Sequence, residues 1–527
     1  MTSEAVVSIT QIEEWSARFG IAIEKNLSHF SFIESKICVI PYSFVKKWKI
    51  LPLEEKEGKI VIAISNPLEW EGIEEIRQAL GKETIELLAL PAHIEEAIEL
   101  CYHHQTDPAE WIADAKKEAI GFKDAEGEEY DLLEQKVDSP VVKILNAILL
   151  EAIQQGASDI HFDPLEQGLG IRYRIDGVLQ TRHAPPKEYQ SQLITRLKVL
   201  SRLDIAEQRL PQDGRIKLRM GGRHIDFRVS TVPCVFGERI VLRILDKSHV
   251  LLGLSKIGMP SSVLEQFNKL IHLPEGIVLV TGPTGSGKTT TLYSALSELG
   301  SSEVNIMTIE DPVEYKLQGM AQIGVNPKIN LNFAMGLRHI LRQDPDVIMI
   351  GEIRDKETAE IAIQASLTGH LVLSTLHTND APSALTRLID MGIESYLLTS
   401  SIVGVMAQRL VRTLCPLCKT PYTPSAEELQ KLRLDPSLAK QKPFFKSVGC
   451  PACFDSGYKG RHGIYELMVI NHDIKQQLLR SADAHQLQSL VLNMGMRSLR
   501  AEGADLVVQG ITSSEEVLRV TRDVEGV

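Results

Sequence analysis

The sequence predicts an α/β protein in which strands alternate with helices, and three observations support this fold class. Residues 277–280 form a short run of branched apolar side chains, as expected for a buried strand. The glycine-rich segment 282–289 follows directly, and residues 290–296 have the composition of a helix. Further apolar runs, each leading into polar side chains, occupy residues 304–309, 346–350 and 370–377. Because ligands bind at the carboxyl ends of strands in open α/β sheets, this pattern predicts a single binding edge.

The segment 282–289 has the pattern GxxxxGK[ST] of a phosphate-binding loop. Glycines let backbone N–H groups close around phosphate oxygens, and the start of the following helix adds partial positive charge. Lys288 is predicted to reach the β- and γ-phosphates, and the Thr289 hydroxyl to hold Mg²⁺. A chance glycine-rich turn is the alternative, and the flanking strand and helix argue against it. The predicted nucleotide contacts are Gly282, Pro283, Thr284, Gly285, Ser286, Gly287, Lys288, Thr289 and Thr290.

The composition is that of a globular protein with several domains. A length of 527 residues corresponds to roughly three or four domains, and 43% hydrophobic with 24% charged residues excludes a disordered or fibrous chain. The net charge of -12 argues against nucleic acid as the main partner, because phosphate binding needs a basic face. The sequence shows neither a long apolar run nor a signal peptide. We therefore expect a cytoplasmic protein that meets a membrane only through partners.

Composition also divides the chain into modules. Residues 1–105 have the pattern of a small α/β module without clustered titratable groups, for which recruitment is a better expectation than chemistry. Residues 106–135 are acidic and aperiodic, as in a solvated linker. In residues 136–250 a helical pattern precedes alternating strands, with a hairpin turn at Asp176-Gly177 and a polar, turn-rich stretch at 209–215. The arginines of this module are dense, which solvation of a sheet face would explain. A linker at 251–261 and a phosphate-binding domain at 262–527 complete the predicted order.

Polar residues at the predicted strand ends are the catalytic candidates. Phosphoryl transfer needs an oriented water, a metal ion and cations for the developing charge. A carboxylate at Glu310 or Glu314 is predicted to orient or deprotonate water, and Glu352 to hold Mg²⁺ directly or through water. His370 and His377 are candidate γ-phosphate sensors, with a satisfied core histidine as the alternative for each. No arginine near the glycine-rich loop is an obvious finger, so we expect one from another module or subunit.

Four of the seven cysteines form two CxxC pairs, which predict a tetrahedral Zn²⁺ site within an insertion at 412–465. A site closed by four thiolates has no open coordination position, so its predicted role is structural. The predicted zinc ligands are Cys415, Cys418, Cys450 and Cys453. The isolated Cys38, Cys101 and Cys234 are predicted to be small buried hydrophobic residues. Residues 466–527 are predicted to form a helical tail.

These motifs resemble those of the secretion-superfamily ATPases that drive type II secretion and type IV pilus assembly. The similarity includes the acidic box at 308–314, the atypical Walker B end at 351–355 and the histidine box at 369–379. It implies a hexameric ATPase in which a PAS-like domain is joined by a short linker to a RecA-like P-loop domain. Glu314 matches the family's catalytic glutamate and Glu352 its Walker B glutamate.

The resemblance also gives the dense arginines a second interpretation, since Arg209 and Arg223, with Arg215, match arginines that reach the nucleotide across two domains. Segments 138–143 and 157–161, together with the first module, look most like the type II secretion branch. In that branch the first module binds the cytoplasmic part of an inner-membrane platform protein. The resemblance therefore implies a cytoplasmic homo-hexamer, peripheral to the inner membrane through a partner.

The function implied is ATP hydrolysis that powers pseudopilus assembly and protein export. A type IV pilus assembly motor with the same chemistry is the closest alternative, and a DNA-translocating motor or a nucleotide-gated scaffold is less favoured. The tetracysteine pattern argues against a retraction ATPase. The Arg-Leu-Gly signature of N-terminal domains that bind cyclic di-GMP in some relatives is missing from the sequence, which argues against that ligand.

Overall fold

The chain divides into two compact units, an amino-terminal unit of residues 1–248 and a carboxyl-terminal unit of residues 249–527. The computed structural model describes residues 9–24, 27, 30, 40, 44–45, 48–56, 58–103, 130–131, 139–220, 223–246, 253–300, 302–438, 442–481 and 483–521. The predicted acidic linker lies outside the described residues except for Tyr130 and Asp131. Among the residues described, no helix is both long enough and apolar enough to cross a bilayer.

The first module of the amino-terminal unit is a four-stranded sheet with helices. Its strands are β1 (Ala22–Ile23), β2 (Ile50–Lys56), β3 (Lys59–Ile64) and β4 (Thr84–Leu88), in the order β1-β4-β3-β2. Its helices are α1 (Ile9–Phe19), α2 (Trp70–Leu80) and α3 (Pro91–His103). Strand β3 is buried from its second residue onward, and α2 ends at Gly81, whose φ of 63° is readily adopted by glycine. The α/β character expected of this module is thus present.

The second module contains a seven-stranded, mostly antiparallel sheet in the order β5-β9-β10-β11-β6-β7-β8. The strands are β5 (Tyr130–Asp131), β6 (Ala157–Leu165), β7 (Gly168–Ile175), β8 (Val178–His183), β9 (Gln212–Met220), β10 (Arg223–Cys234) and β11 (Gly237–Asp246). The apolar face of the sheet packs with helices α4 (Pro140–Gln154) and α5 (Gln190–Leu200). Asp176 and Gly177 have φ values of 48° and 82° and form the predicted hairpin turn between β7 and β8.

Two sequence predictions in this module are wrong. The stretch 209–215 was expected to be turn-rich, but β9 begins at Gln212, because pairing with β10 overrides its polar local composition. Cys234 was expected to be buried, but it is exposed at the turn that joins β10 to β11. Of the other isolated cysteines, Cys38 lies outside the described residues and nothing is described of the Cys101 side chain.

The carboxyl-terminal unit is built on a second seven-stranded sheet, in the order β14-β13-β15-β16-β12-β17-β20. Every pairing is parallel except that of β17 with β20. The strands are β12 (Gly276–Thr281), β13 (Ile306–Glu310), β14 (Ala321–Gly324), β15 (Val347–Ile350), β16 (Leu371–Leu376), β17 (Ile402–Leu414) and β20 (Tyr458–Val469). The helices interleaved with them are α6 (Ser261–Ile271), α7 (Lys288–Leu299), α8 (Phe333–Ile340), α9 (Lys356–Leu367), α10 (Pro382–Asp390) and α11 (Ser395–Ser401). Strands β12, β15 and β16 are buried throughout, as expected for a sheet with both faces covered.

An insertion between β17 and β20 contains the short pair β18 (Thr420–Tyr422) and β19 (Phe444–Lys446), with helix α12 (Ala426–Lys431). After β20 come the helices α13 (His472–Arg480), α14 (Ala484–Asn493), α15 (Leu499–Val508) and α16 (Ser514–Val520). Where the structure describes it, the predicted tail is helical after β20, whereas residues 466–469 complete β20 and residues 522–527 lie outside the described part of the chain. Leu487 and Val491 of α14 are buried, as its amphipathic pattern predicts.

Candidate functional site

The order of the central strands brings three segments to one edge of the sheet. Strand β16 pairs in parallel with both β15 and β12, and Leu376 at its carboxyl end is level with Thr281 of β12. The glycine-rich loop, the segment that begins at Gly351 and the histidine loop that begins at His377 all leave the sheet here. The sheet topology thus produces the single polar edge expected from the sequence.

The glycines of the loop permit a backbone that passes very close to strand β17. Gly282, Gly285 and Gly287 have φ values of 153°, 79° and 89°. A Cβ atom at Gly282 would lie 2.6 Å from the backbone oxygen of Gln408, and one at Gly287 would lie 2.8 Å from the Gln408 side-chain nitrogen. A side chain at Gly282 would require the backbone of β17 to move, and one at Gly287 would displace the Gln408 side chain, so the loop packs tightly against this strand.

Lys288 is the first residue of α7 and points back into the loop. Its Nζ donates to the carbonyl oxygens of Gly282 and Pro283 at 2.8 and 3.1 Å. Burial lowers the pKa of Lys288 to about 8; the charge of Arg409 acts in the same direction and that of Glu352 opposes it. An anion beside this ammonium would relieve its desolvation. The site is therefore poised to accept negative charge.

Two further features of the loop fit a phosphate group. The Ser286 Oγ is buried and has no hydrogen-bond partner among the described residues. No side chain caps the start of α7, so the N–H groups of its first turn keep their capacity for an external acceptor. Thr289, the predicted Mg²⁺ ligand, lies in that first turn and is half-buried. Phosphate oxygens would satisfy these donors together.

Glu352 and His377 lie together beside Lys288. The His377 Nε2 is 3.4 Å from the Glu352 Oε2, and the other carboxylate oxygen of Glu352 accepts a short hydrogen bond from Arg354. Burial disfavours the charged form of Glu352, but the contact with Arg354 and the charges of His377 and Lys288 outweigh it and lower its pKa. Burial and Lys288 lower the pKa of His377, against the charge of Glu352. A carboxylate and an imidazole thus face the loop.

Strand β17 contributes two buried polar residues that the sequence reasoning missed. The Gln408 Oε1 accepts from the Thr291 hydroxyl at 2.8 Å, and the Arg409 Nη2 donates to the Asn379 backbone oxygen at 2.9 Å. Both side chains are at least 90% buried. An amide and a guanidinium directly after the apolar first half of β17 were a signal for such a role, but their partners are far away in sequence.

The two candidate glutamates of the acidic box occupy different environments. Glu310 is buried, and its carboxylate accepts hydrogen bonds from the side chains of Tyr293, Thr308 and Gln322. Glu314 is exposed, four residues beyond the end of β13. A carboxylate that acts on water must be accessible to it. The geometry therefore favours Glu314 over Glu310 for the water-activating role and gives Glu310 a structural one.

The histidine candidates lie at opposite ends of β16. His377 follows the strand at the loop edge, whereas His370 precedes it, and the His370 Nδ1 is 2.8 Å from the Ala365 backbone oxygen. The ends of a six-residue strand are roughly 20 Å apart. The structure brings His377, and not His370, to the glycine-rich loop, because parallel strands place only their carboxyl ends at this edge.

The three candidate arginines belong to the amino-terminal unit. Arg209 is exposed and pairs with Glu207, with 2.9 Å between the Arg209 Nη2 and the Glu207 Oε2. Arg215 projects from β9 as an exposed side chain, and Arg223 begins β10, where its side chain is not described. Their reach to the nucleotide stays a prediction.

The four paired cysteines form a cluster in the insertion. All four sulfur atoms lie within 4.8 Å of one another, and the contacts between Cys415 and Cys450, Cys418 and Cys453, and Cys450 and Cys453 measure 3.9, 3.8 and 3.7 Å. Four sulfurs each about 2.3 Å from a central ion would be roughly 3.8 Å apart. The spacing therefore fits a tetrahedral metal ion.

Backbone N–H groups of Cys450 and Gly457 point at the Cys453 sulfur, at 3.2 and 3.3 Å. Burial acts against ionisation of this thiol, but these donors outweigh it and lower the pKa of Cys453 to about 7. The surroundings of Cys453 thus favour the thiolate that a metal ion binds.

Comparison with known proteins agrees with this geometry. The family described as "Type II/IV secretion system protein" matches residues 134–519, and the MshEN domain family matches residues 27–108. The type II secretion system ATPase E of Vibrio cholerae is 47% identical over 490 residues, which cover 92% of this chain and 97% of that protein. The type II secretion system protein E of Pseudomonas aeruginosa is 47% identical over 488 residues, 92% of this chain and 96% of the relative.

A solved structure resembles the chain as well. The ATPase DotB of Legionella pneumophila has a TM-score of 0.53 over 74% of this chain and 98% of its own, at 22% identity, a likeness that shows the fold alone. The predicted α/β class with a P-loop ATPase domain, the predicted ATPase activity and the predicted family are thus confirmed. The chain belongs to the family of type II/IV secretion system proteins, as one of its ATPases.

Proposed function

We propose that this ATPase works as a homo-hexamer that powers pseudopilus assembly and protein export by a type II secretion system. The observation that carries the proposal is the extent of the match, since the relatives named for type II secretion are covered almost end to end. Their coverage includes most of residues 1–105 as well as the ATPase domain. We assign to this first module the binding of the cytoplasmic domain of an inner-membrane platform protein, which would hold the ATPase at the membrane surface.

The loop residues have distinct tasks in this proposal. Lys288 leaves the carbonyl oxygens of Gly282 and Pro283 and donates instead to the β- and γ-phosphates of ATP. The Ser286 hydroxyl and the first-turn N–H groups of α7 complete the cradle. Thr289 and Glu352 are the residues that would hold Mg²⁺, whose charge offsets that of the phosphates. The folded loop thus fixes the phosphate chain before chemistry begins.

Hydrolysis needs a water aligned with the γ-phosphate. Exposed Glu314 orients or deprotonates that water, and His377, held next to Glu352, detects the γ-phosphate at the edge of β16. We assign to Arg209, Arg215 and Arg223 the stabilisation of the charge that develops on the transferred phosphoryl group. A cation supplied from a separate domain would make turnover depend on domain movement, as a motor requires.

The cysteine cluster takes no part in this chemistry. Its four sulfurs leave no coordination position for a substrate, so we assign it a structural Zn²⁺ ion that closes the insertion between β17 and β20. The two ends of the insertion meet at Cys415, whose N–H donates to the Gly457 backbone oxygen at 3.0 Å.

Complementation with a binding assay tests the proposal. The full chain and Lys288→Ala are produced in a secretion-competent strain that lacks its own secretion ATPase, and export is measured together with co-purification of cytoplasmic platform domains. The wild type should restore export, whereas Lys288→Ala should bind the platform without restoring it. Trp70→Ala removes a side chain of the first module that is 67% exposed. This variant tests whether that surface takes part in binding the platform domains. Co-purification with pilus platform domains alone would assign the motor to pilus assembly instead.

A further inference from the structure

Glu466 is a buried carboxylate that the nucleotide chemistry above does not use. It lies on β20 opposite Ala407 of β17, and it is 2% exposed. Its Oε1 accepts from the Ala381 backbone N–H at 2.9 Å, and its Oε2 accepts from the Leu499 backbone N–H at 3.2 Å. Each carboxylate oxygen is thus committed to a different part of the chain.

Both donors stand at the start of a helix. Ala381 directly precedes α10, and Leu499 is the first residue of α15. Helix amino termini carry partial positive charge, so one carboxylate serves two of them. Burial raises the pKa of Glu466 to about 7, with the charge of Asp380 adding to the shift and the two N–H donors and Arg409 opposing it. Burial of a carboxylate costs free energy, which these specific hydrogen bonds must offset.

On one side, Glu466 binds the last residue of a short loop that begins at the active site. Residues 377–381 run from His377 to Ala381 and are fixed at two further points. The Thr378 N–H donates to the Thr281 hydroxyl at 2.9 Å, at the end of the strand that leads into the P-loop. Asn379 accepts from Arg409 at 2.9 Å. Through the Ala381 N–H, this loop is hydrogen-bonded to Glu466 on β20.

On the other side, Leu499 is followed by Arg500, which contacts the insertion and the residue that follows α16. The Arg500 Nη1 donates to the Lys431 backbone oxygen at 3.2 Å, and its Nη2 to the Thr521 backbone oxygen at 2.8 Å. A cavity of about 90 Å³ lies beside these groups and is lined by Asn379, Arg409, Glu466 and Arg500 among others. The groups of this connection therefore border free volume rather than a close-packed core.

We propose that Glu466 is a positioning residue for ATP hydrolysis, which fixes the loop carrying His377 to the first residue of α15. A displacement of α15 then changes the position of His377 at the phosphates. The rate of ATP hydrolysis therefore depends on where α15 lies. The inference rests on ATP hydrolysis at this P-loop. That premise is checked independently by measuring turnover in the wild type and its loss in Lys288→Ala.

The test breaks the connection from each of its two sides, at Glu466 and at Leu499, in the full chain. Glu466→Gln keeps the size of the side chain, but its amide nitrogen cannot accept, so one of the two N–H groups loses its partner. Leu499→Pro removes the Leu499 N–H donor. The helix should accept this proline, because proline is tolerated at the first helical position and Ser498 already has the extended backbone, at φ −76° and ψ 158°, that must precede it. Glu502→Gln, a buried carboxylate of α15 that pairs with Arg497, is the matched control.

We expect kcat to fall about tenfold in Glu466→Gln and in Leu499→Pro, with the KM for ATP changed less than about twofold, because the P-loop contacts stay intact. The double variant should lose no more than either single variant, since both break one connection. Glu502→Gln should keep kcat within about twofold. Unfolding midpoints are measured for every variant, and turnover is assayed well below the lowest.

Either of two results would overturn the inference. If folded Glu466→Gln kept wild-type kcat, the carboxylate would not position the loop. If kcat in all three variants followed the unfolding midpoint, the residue would contribute to stability only. Should Leu499→Pro fail to fold, Glu466→Gln against Glu502→Gln decides the question alone.

Discussion

The lowered pKa of Lys288 predicts that nucleotide binding takes up a proton near pH 8. Burial among loop carbonyls brings the pKa of this ammonium down to about 8, so a large part of the empty protein carries neutral Lys288 at that pH. A diphosphate placed against the side chain favours the charged form and raises its pKa again. The proton must then come from the buffer, and the number of protons taken up per bound nucleotide can be measured.

The size of the effect follows from the pKa. A group with a pKa of about 8 is about one-tenth neutral at pH 7, about half neutral at pH 8 and about nine-tenths neutral at pH 9. Binding of MgADP should therefore take up close to ~0.1, ~0.5 and ~0.9 proton at these three pH values. The rise with pH is the signature, since a lysine at its ordinary pKa would stay charged throughout.

Isothermal titration of MgADP in buffers of different ionisation enthalpy measures this uptake directly. Glu352→Gln provides an internal check, because Glu352 now raises the pKa of Lys288 and its removal should increase the uptake at pH 7. Glu265→Gln, which removes an exposed carboxylate that pairs with Lys269 on α6, should leave it unchanged. An uptake that stays near zero from pH 7 to pH 9 would refute the burial argument, and with it the assignment of Lys288 as a desolvated cation.

Four other predictions concern the carboxyl-terminal unit. The purified protein should hold about one Zn²⁺ per chain, and Cys415→Ser should release it and lower the unfolding midpoint without weakening MgADP binding; metal-free protein with four titratable thiols would contradict this. Gly282→Ala should weaken MgADP binding at least ~10-fold, because its methyl group would overlap a backbone oxygen of β17, whereas Gly324→Ala, in open space, should bind normally. Glu310→Gln should cost about 1–3 kcal/mol of stability, measured by urea unfolding, because buried hydrogen bonds are broken. Glu314→Gln should abolish turnover at unchanged stability, and equal effects of these two variants on turnover would remove the distinction between them.

The features that sequence predicts well here are local ones. The phosphate-binding loop needs a strand, glycines and a helix in immediate succession, so its signal is complete within one segment. The CxxC pairs were equally readable, because two ligands from one tight turn need only a few residues. The hairpin at Asp176-Gly177 depends on the φ values of two adjacent residues alone.

What the sequence could not predict depends on contacts between distant segments. Arg409 gains its place only because β17 pairs beside β12, a register that no local pattern specifies. Glu310 follows an apolar run just as Glu352 does, but Tyr293 on α7 and Gln322 on β14 turn it into the core. His370 and His377 frame the same strand, and only the parallel topology decides which of them meets the loop.

Strand β17 also has a mechanical consequence. It runs for 13 residues, roughly 43 Å, and hydrogen-bonds to β12 on one side and β20 on the other. It packs against the P-loop at Gln408 and ends one residue before Cys415 of the cysteine cluster. Because sheet hydrogen bonds run across the strands, a pull along β17 loads many of them at once rather than one after another. The strand therefore resists extension along its length. A force applied to the insertion would displace the phosphate-binding loop, because little of it would be taken up by stretching of β17.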